Sequence, residues 1–298
     1  MTRGAGVVVA VIDSGIDPYN AAFKNRTVPG FNFMTRTAPP WADENPPMID
    51  WGMHGTGCSS AVLAVAPDCR IMPVRVHDGD TMNDPAYDYW IYEFIAAGIY
   101  YAVHHGAQVI SLSAPLPATE RPLFEACRYA YLNNVPLCTS AGNISRVQFG
   151  LRLEDQIFRA MKSEVILAGG VAKEDGAIRP WPITVPHDEI DIATPSADVF
   201  VIVPVYMKDM RDMAVAGTSL SAPLAAGVAA LLRSAAPPSP DILRKPGEYS
   251  RLVALSLTKT ARLDILGLSE PDDVVGNGLV DALAALQAIK RLMPAKCP

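Results

Sequence analysis

"VVVAVID" (Val7–Asp13) is six apolar residues in a row, five of them β-branched, closed by an aspartate. A run this short with no polar alternation reads as a strand covered on both faces. Three more runs have the same character: Gln108-Val109-Ile110-Ser111-Leu112, Val135-Pro136-Leu137-Cys138-Thr139 and Val165-Ile166-Leu167-Ala168. Between them lie longer helix-like stretches over 89–105 and 123–133. Strand and helix alternating at crossover length point to βαβ units, and therefore to an α/β fold with a mostly parallel central sheet flanked by helices. Toward the end, 219–235, 250–260 and 281–292 read as further helices, while the proline-rich stretches 35–47 and 237–246 read as surface connections. No internal repeat interrupts the chain, and 298 residues, half of them apolar, are enough for one large core; residues 1–298 read as a single domain.

The formal charge of -6, without a compensating Lys/Arg cluster, argues against nucleic acid as a partner. The run Val7–Ile12 is too short for a membrane span or a signal segment and leads straight into Asp13, so neither membrane nor export is expected. Cys58, Cys69, Cys127, Cys138 and Cys297 form an odd set without CxxC spacing, which favours buried thiols and a reducing, cytoplasmic compartment; a trimmed secreted domain is the alternative. No second His or Cys stands at ligand spacing, so no metal or other cofactor is expected. His104 and His105, before Gly106, read as partners of a helix C-terminus, and His77 and His187 fall in polar loops without an assigned role.

In an open parallel sheet, reactive groups gather beyond the carboxyl ends of the strands. Asp13 lies at such an edge, beside a glycine that permits a tight turn; alone it is a turn former. His54, in Met53-His54-Gly55-Thr56-Gly57-Cys58, precedes a small and apolar segment where a helix begins; alone it is a structural histidine. Ser219 follows Gly217-Thr218 and opens the apolar run from Leu220 to Leu232, so its hydroxyl lies near a helix N-terminus that favours developing negative charge. A helix cap has the same appearance. Asp, His and Ser in this chain order carry much more than each alone.

Through Val11-Ile12-Asp13-Ser14-Gly15-Ile16-Asp17, His54-Gly55-Thr56 and Gly217-Thr218-Ser219-Leu220-Ser221-Ala222-Pro223, the chain resembles the subtilisin-like serine proteases nearly end to end. Thr139-Ser140-Ala141-Gly142-Asn143, Val65-Ala66-Pro67, Ala168-Gly169-Gly170-Val171 and Gly276 to Ala282 extend the likeness. The resemblance implies the three-layer subtilisin-like fold and a serine endopeptidase acting on peptide or protein. Asp13, His54 and Ser219 would be its catalytic residues, Asn143 its oxyanion-hole donor, and Ser113, Ala114, Pro115, Ala141 and Gly142 its substrate-binding edge. Ser221 stands where the family carries alanine; a two-residue step on a helix turns about 200°, so both serines cannot face one histidine, and Ser221 reads as a packing residue.

A serine hydroxyl attacks only as a base removes its proton, which a histidine near neutral pH does. The aspartate fixes the tautomer and stabilises the imidazolium.

Several segments depart from the family. The path from His54 to Pro67 is short, as if the loop that carries a tightly held calcium were deleted; no calcium requirement is expected at this position, and a large chelator-induced fall in melting temperature would contradict that. A dozen residues precede Asp13, without a recognisable pro-segment. Pro115 lacks an N–H at the substrate edge, and residues 144–163 replace a familiar pocket-forming stretch. Cys58, one helical turn after His54, reads as a small buried hydrophobe, although family members with a cysteine here are mercury-sensitive. Two other functions compete with a general endopeptidase. Ala66-Pro67-Asp68-Cys69-Arg70 and the short segment after the histidine are similar to the cyanobactin-maturation subtilases, implying a maturation protease or macrocyclase for a ribosomal precursor peptide. A non-catalytic peptide-binding module on the same scaffold is the other, against which stands the presence of all three reactive residues.

Overall fold

The computed structural model describes residues 2–34, 50, 53–78, 85–114, 116, 120–144, 164–205 and 213–293. Its centre is strand β1 (Val8–Asp13), whose residues alternate between the two faces of the sheet. Val9 and Val11 enter one core with Cys58, Val62, Ala225 and Leu232, while Ala10 and Ile12 enter another with Ile95, Ile99, Leu123 and Ala126. Both faces are therefore dry, as the unbroken apolar run requires, and each fully buried Val or Ile side chain stabilises the fold by about 1.5–3 kcal/mol.

β1 pairs in parallel with β3 (Arg70–Arg75) and β4 (Val109–Leu112). β5 (Leu137–Ser140) and β6 (Ile166–Glu174) continue the parallel order, β2 (Phe31–Asn32) extends the other edge, and β8 (Ile192–Pro195) lies parallel to β6. Only β7 (Ala177–Pro180), antiparallel to the end of β6, breaks the direction among the described strands of this sheet. The order is β2-β3-β1-β4-β5-β6-β7, with β8 beside β6. A separate two-stranded ribbon joins β9 (Val199–Val201) to β10 (Met213–Val215).

Helix α2 (Pro85–His104) and α3 (Arg121–Leu132) cover one face. On the other lie α1 (His54–Val65) and α4 (Ser221–Ala235), with α6 (Glu248–Thr258) and α7 (Ala282–Leu292) outside them. This is the three-layer α/β arrangement expected. The 237–246 stretch is not wholly irregular: it contains the one-turn helix α5 (Pro240–Leu243), started by Ser239, whose hydroxyl accepts from the Ile242 N–H, and by Pro240 at the first helical position. At the end of α2, His105 Nδ1 lies 2.8 Å from the Tyr101 carbonyl oxygen, a helix-end role as expected. Cys58, Cys69, Cys127 and Cys138 are buried and unpaired, and Cys297 lies outside the described residues, as does the 35–47 stretch. Among the described residues no helix is long and apolar enough to cross a membrane.

Candidate active site

β1 ends at Asp13, and the chain then turns through Ser14 and Gly15 at the carboxyl edge of the sheet. α1 begins at His54, and its first turn presses directly against that bend. A Cβ on Gly55 would stand 2.2 Å from the Gly15 carbonyl oxygen, so only glycine admits this approach. The Gly55 N–H donates to Ser14 Oγ at 2.9 Å, and the Thr56 N–H donates to Asp50 Oδ2 at 2.6 Å. Two of the N–H groups left unpaired at a helix start are thus capped from outside the helix. Ser14 Oγ in turn donates to Asp50 Oδ1 at 2.6 Å, which ties the β1 bend, the helix start and Asp50 into one buried unit.

That unit places His54 Nδ1 2.7 Å from Asp13 Oδ1. The same carboxylate oxygen accepts from the Ser14 N–H at 2.7 Å. Asp13 is 2% exposed, and burial works against its charge, yet the His54 ring, with His77 farther off, holds the carboxyl down at about 2. Burial likewise opposes charge on His54; the Asp13 carboxylate overrides it and raises the imidazole well above its ordinary value.

Ser219 sits in a tight 3-10 turn, Thr218–Leu220, immediately before α4, rather than in the α-helix itself. Its carbonyl oxygen accepts from Ser113 Oγ at 2.7 Å and from Cys58 Sγ at 3.5 Å. Asn143, just beyond β5, has its Oδ1 bonded by both the N–H and the hydroxyl of Thr218, each at 3.0 Å. With the amide oxygen occupied, the NH2 is the group left to donate outward. His54, Cys58, Asn143, Gly217 and Ser219 line one cavity of about 180 Å³. Among the described residues, the Ser219 hydroxyl and the His54 ring share this space without a direct hydrogen bond.

Of the groups expected to meet a peptide, Ser113 points its hydroxyl to Ser219, and the Ala114 carbonyl accepts from Thr139 Oγ1 at 3.3 Å. The Ala141 N–H donates to Ala168 and the Gly142 carbonyl accepts from Val185, both at 3.0 Å. Pro115 and residues 145–163 lie outside the described residues.

Four features depart from the sequence reading. Cys58 is buried, but more than a hydrophobe: its Sγ lies 3.8 Å from His54 Nδ1 and 3.6 Å from Ser113 Oγ. Burial pushes its thiol up, so it stays protonated. Asp13, His54 and Cys58 bring three ligand-type atoms within 4.8 Å of one another, a juxtaposition that linear spacing hides. His77 is buried beside the site, its Nε2 3.7 Å from Asp13 Oδ1, and burial lowers its pKa. Ser221 is buried as expected of a packing residue, but its Oγ is 2.5 Å from Ser196 Oγ.

The sequence profile described as "Subtilase family" matches residues 4–278. An intracellular serine protease of Paenibacillus polymyxa is 27% identical, over 98% of this chain and 83% of the relative. Among solved structures, fervidolysin from Fervidobacterium pennivorans, a keratinolytic enzyme related to subtilisin, superposes with a TM-score of 0.77 at 23% identity, over 96% of this chain and 43% of that one. A lanthipeptide protease superposes with a TM-score of 0.72 at 24% identity, over 96% and 90%.

Proposed function

Because the chain belongs to the subtilase family and is a subtilisin-like serine protease acting on peptides or proteins, we propose that it cleaves peptide bonds by acyl transfer to Ser219, within a single peptidase domain. The observation that carries this reading is the 2.7 Å contact between His54 and Asp13 at the wall of a cavity shared with Ser219 and Asn143.

Ser219 Oγ attacks the carbonyl carbon while its proton passes to His54 Nε2, the ring nitrogen not engaged by Asp13. Asp13 fixes that tautomer and stabilises the imidazolium that forms. The tetrahedral oxyanion receives the Asn143 NH2 and the Ser219 backbone N–H, donors aimed before the charge develops. Collapse expels the amine, which takes the proton from His54, and a water molecule repeats the sequence to release the acid. Ser113 supports this geometry by holding the Ser219 carbonyl, and 113–115 with 141–142 form the edge along which the peptide lies.

A fluorophosphonate probe tests the assignment. Wild type is expected to be labelled at Ser219 and Ser219→Ala to remain unlabelled; an unlabelled wild type would make the chain a peptide-binding module instead.

A second reading, maturation of a ribosomal precursor peptide by hydrolysis or transamidation, is favoured by the likeness to a lanthipeptide protease over nearly that whole chain and by Ala66-Pro67-Asp68-Cys69-Arg70. Turnover of a defined precursor peptide with no cleavage of casein separates it from a general endopeptidase. A cytoplasmic location accords with the relative's designation as intracellular and with four unpaired thiols.

A further inference from the structure

Ser219 is held by its neighbours on both sides, and one residue grips both. Ser196 directly follows β8. Its carbonyl accepts from the Gly217 N–H at 2.8 Å, two residues before Ser219, and its hydroxyl lies 2.5 Å from that of Ser221, two residues after. The Ser196 hydroxyl also reaches the Thr194 carbonyl at 3.3 Å, and Thr194 Oγ1 donates to the Ser221 carbonyl at 3.3 Å. Ser196 and Ser221 are 0% exposed and Thr194 2%. Ser196 is itself pinned: its N–H donates to Val171 at 2.9 Å, and a Cβ on Gly170 would fall 2.6 Å from its Oγ, so β6 closes the space behind it.

We propose that Ser196 and Ser221 are positioning residues for the reaction: their buried hydroxyl pair, with the Ser196 carbonyl on Gly217, fixes the turn that presents the Ser219 hydroxyl to His54. A 3-10 turn has poorer hydrogen-bond geometry than an α-helix and relies on such outside anchors. A buried hydroxyl pair in a fully packed site has few alternative arrangements, so loss of one member frees the turn to shift. The inference rests on Ser219 being the nucleophile.

The test compares Ser196→Ala, Ser221→Ala and the double variant with wild type. Ser256→Ala is the control; it removes another 0% exposed hydroxyl, bonded at 2.7 Å to the Leu252 carbonyl on α6, outside the residues lining the cavity. Readouts are kcat and KM on a peptide p-nitroanilide that wild type cleaves, the rate of fluorophosphonate labelling, and Tm. Each single variant is expected to lose roughly 10-fold in kcat and in labelling rate with KM within about 2-fold. The double variant is expected to be no slower than the slower single one, because the two hydroxyls act as a pair. Ser256→Ala is expected to lower Tm and leave kcat unchanged. Single variants with wild-type kcat and labelling rate, or losses that simply multiply in the double variant, would overturn the inference. Should an alanine variant not fold, Ser221→Cys, whose larger sulfur and weaker S–H break the short hydroxyl pair, is judged by the same single-variant criteria. Wild type unlabelled at Ser219 removes both this inference and the nucleophile assignment; labelled wild type with unaffected variants removes this one alone.

Discussion

Replacing Asp50 by asparagine perturbs the site without touching a reacting group. Asp50 accepts two short bonds, from Ser14 Oγ and from the Thr56 N–H, both at 2.6 Å. An asparagine can keep only one of them as acceptor; with its oxygen on Thr56, its NH2 faces Ser14. The Ser14 hydroxyl then loses the acceptor of its proton and turns to the next one, Asp13 Oδ1, already 3.3 Å away. Losing one hydrogen bond to a charged group costs about 1.5–3 kcal/mol. For a chain of 298 residues that corresponds to a Tm lower by roughly 2–5 °C. The redirected proton also drains negative charge from Asp13, which weakens its hold on the imidazolium and lowers the His54 pKa. Each pKa unit corresponds to about 1.4 kcal/mol, so even a partial bond moves the titration by several tenths of a unit. Thermal melts and the pH profile of kcat/KM read the two effects separately. Asp50→Asn with an unshifted acid limb and an unchanged Tm would refute the chain of contacts from Asp50 through Ser14 to Asp13.

The pH profile of wild type carries its own expectation. His54 must be neutral to act as base and its pKa is raised, so the acid limb of kcat/KM lies above pH 6.5 and moves down in Asp13→Asn. The stabilities follow with opposite signs. Asp13, held at about 2 against an ordinary 3.8, contributes fully above pH 3.8 and loses its contribution as pH falls toward 2; His54 contributes fully below pH 6.5 and loses its contribution as pH rises through its raised value. Melts of wild type and His54→Ala across pH should therefore converge at the alkaline end. Asn143→Leu is expected to keep KM and lose about 10²–10³-fold in kcat, and near-normal turnover would remove Asn143 from the oxyanion hole. Gly55→Ala, with 2.2 Å to the Gly15 carbonyl, is expected to destabilise by more than about 4 kcal/mol and to yield little folded protein, judged by soluble yield and circular dichroism.

β1, β4 and β5 were legible because burial on both faces leaves an uninterrupted apolar run; β3, paired with β1 at the sheet centre, was not, because Arg70, Pro73 and Arg75 interrupt its run. β6 was legible only in its first third. It continues to Glu174 through Gly169 and Gly170, where small residues reflect crowding by the Val274 carbonyl and by Ser196 and not the end of a strand. β7 has too little buried surface to leave a pattern, and among the described residues β9 and β10 pair only with each other. The cluster of Asp13 and His54 was visible as two separated motifs. The roles of Asp50, Ser14 and His77 were not, since the contacts that join them to the site, Ser14 to Asp50 and His77 to Asp13, cross the fold. Asp50 leaves at most the weak trace of an acidic residue shortly before a helix start. The pairing of Ser196 with Ser221 left none, because two buried serines look like packing until their distance is known.

The chain order of the site has a consequence for biosynthesis. Ser219 directly precedes α4, which packs into the same core as α1 and β1, so a ribosome that has released residues 13, 54 and 143 has still not supplied the hydroxyl or the helix behind it. On the reading that Ser219 is the nucleophile, the reaction waits during synthesis for the same segment that completes this core, so folding of the core and onset of cleavage are tied to one stretch of chain.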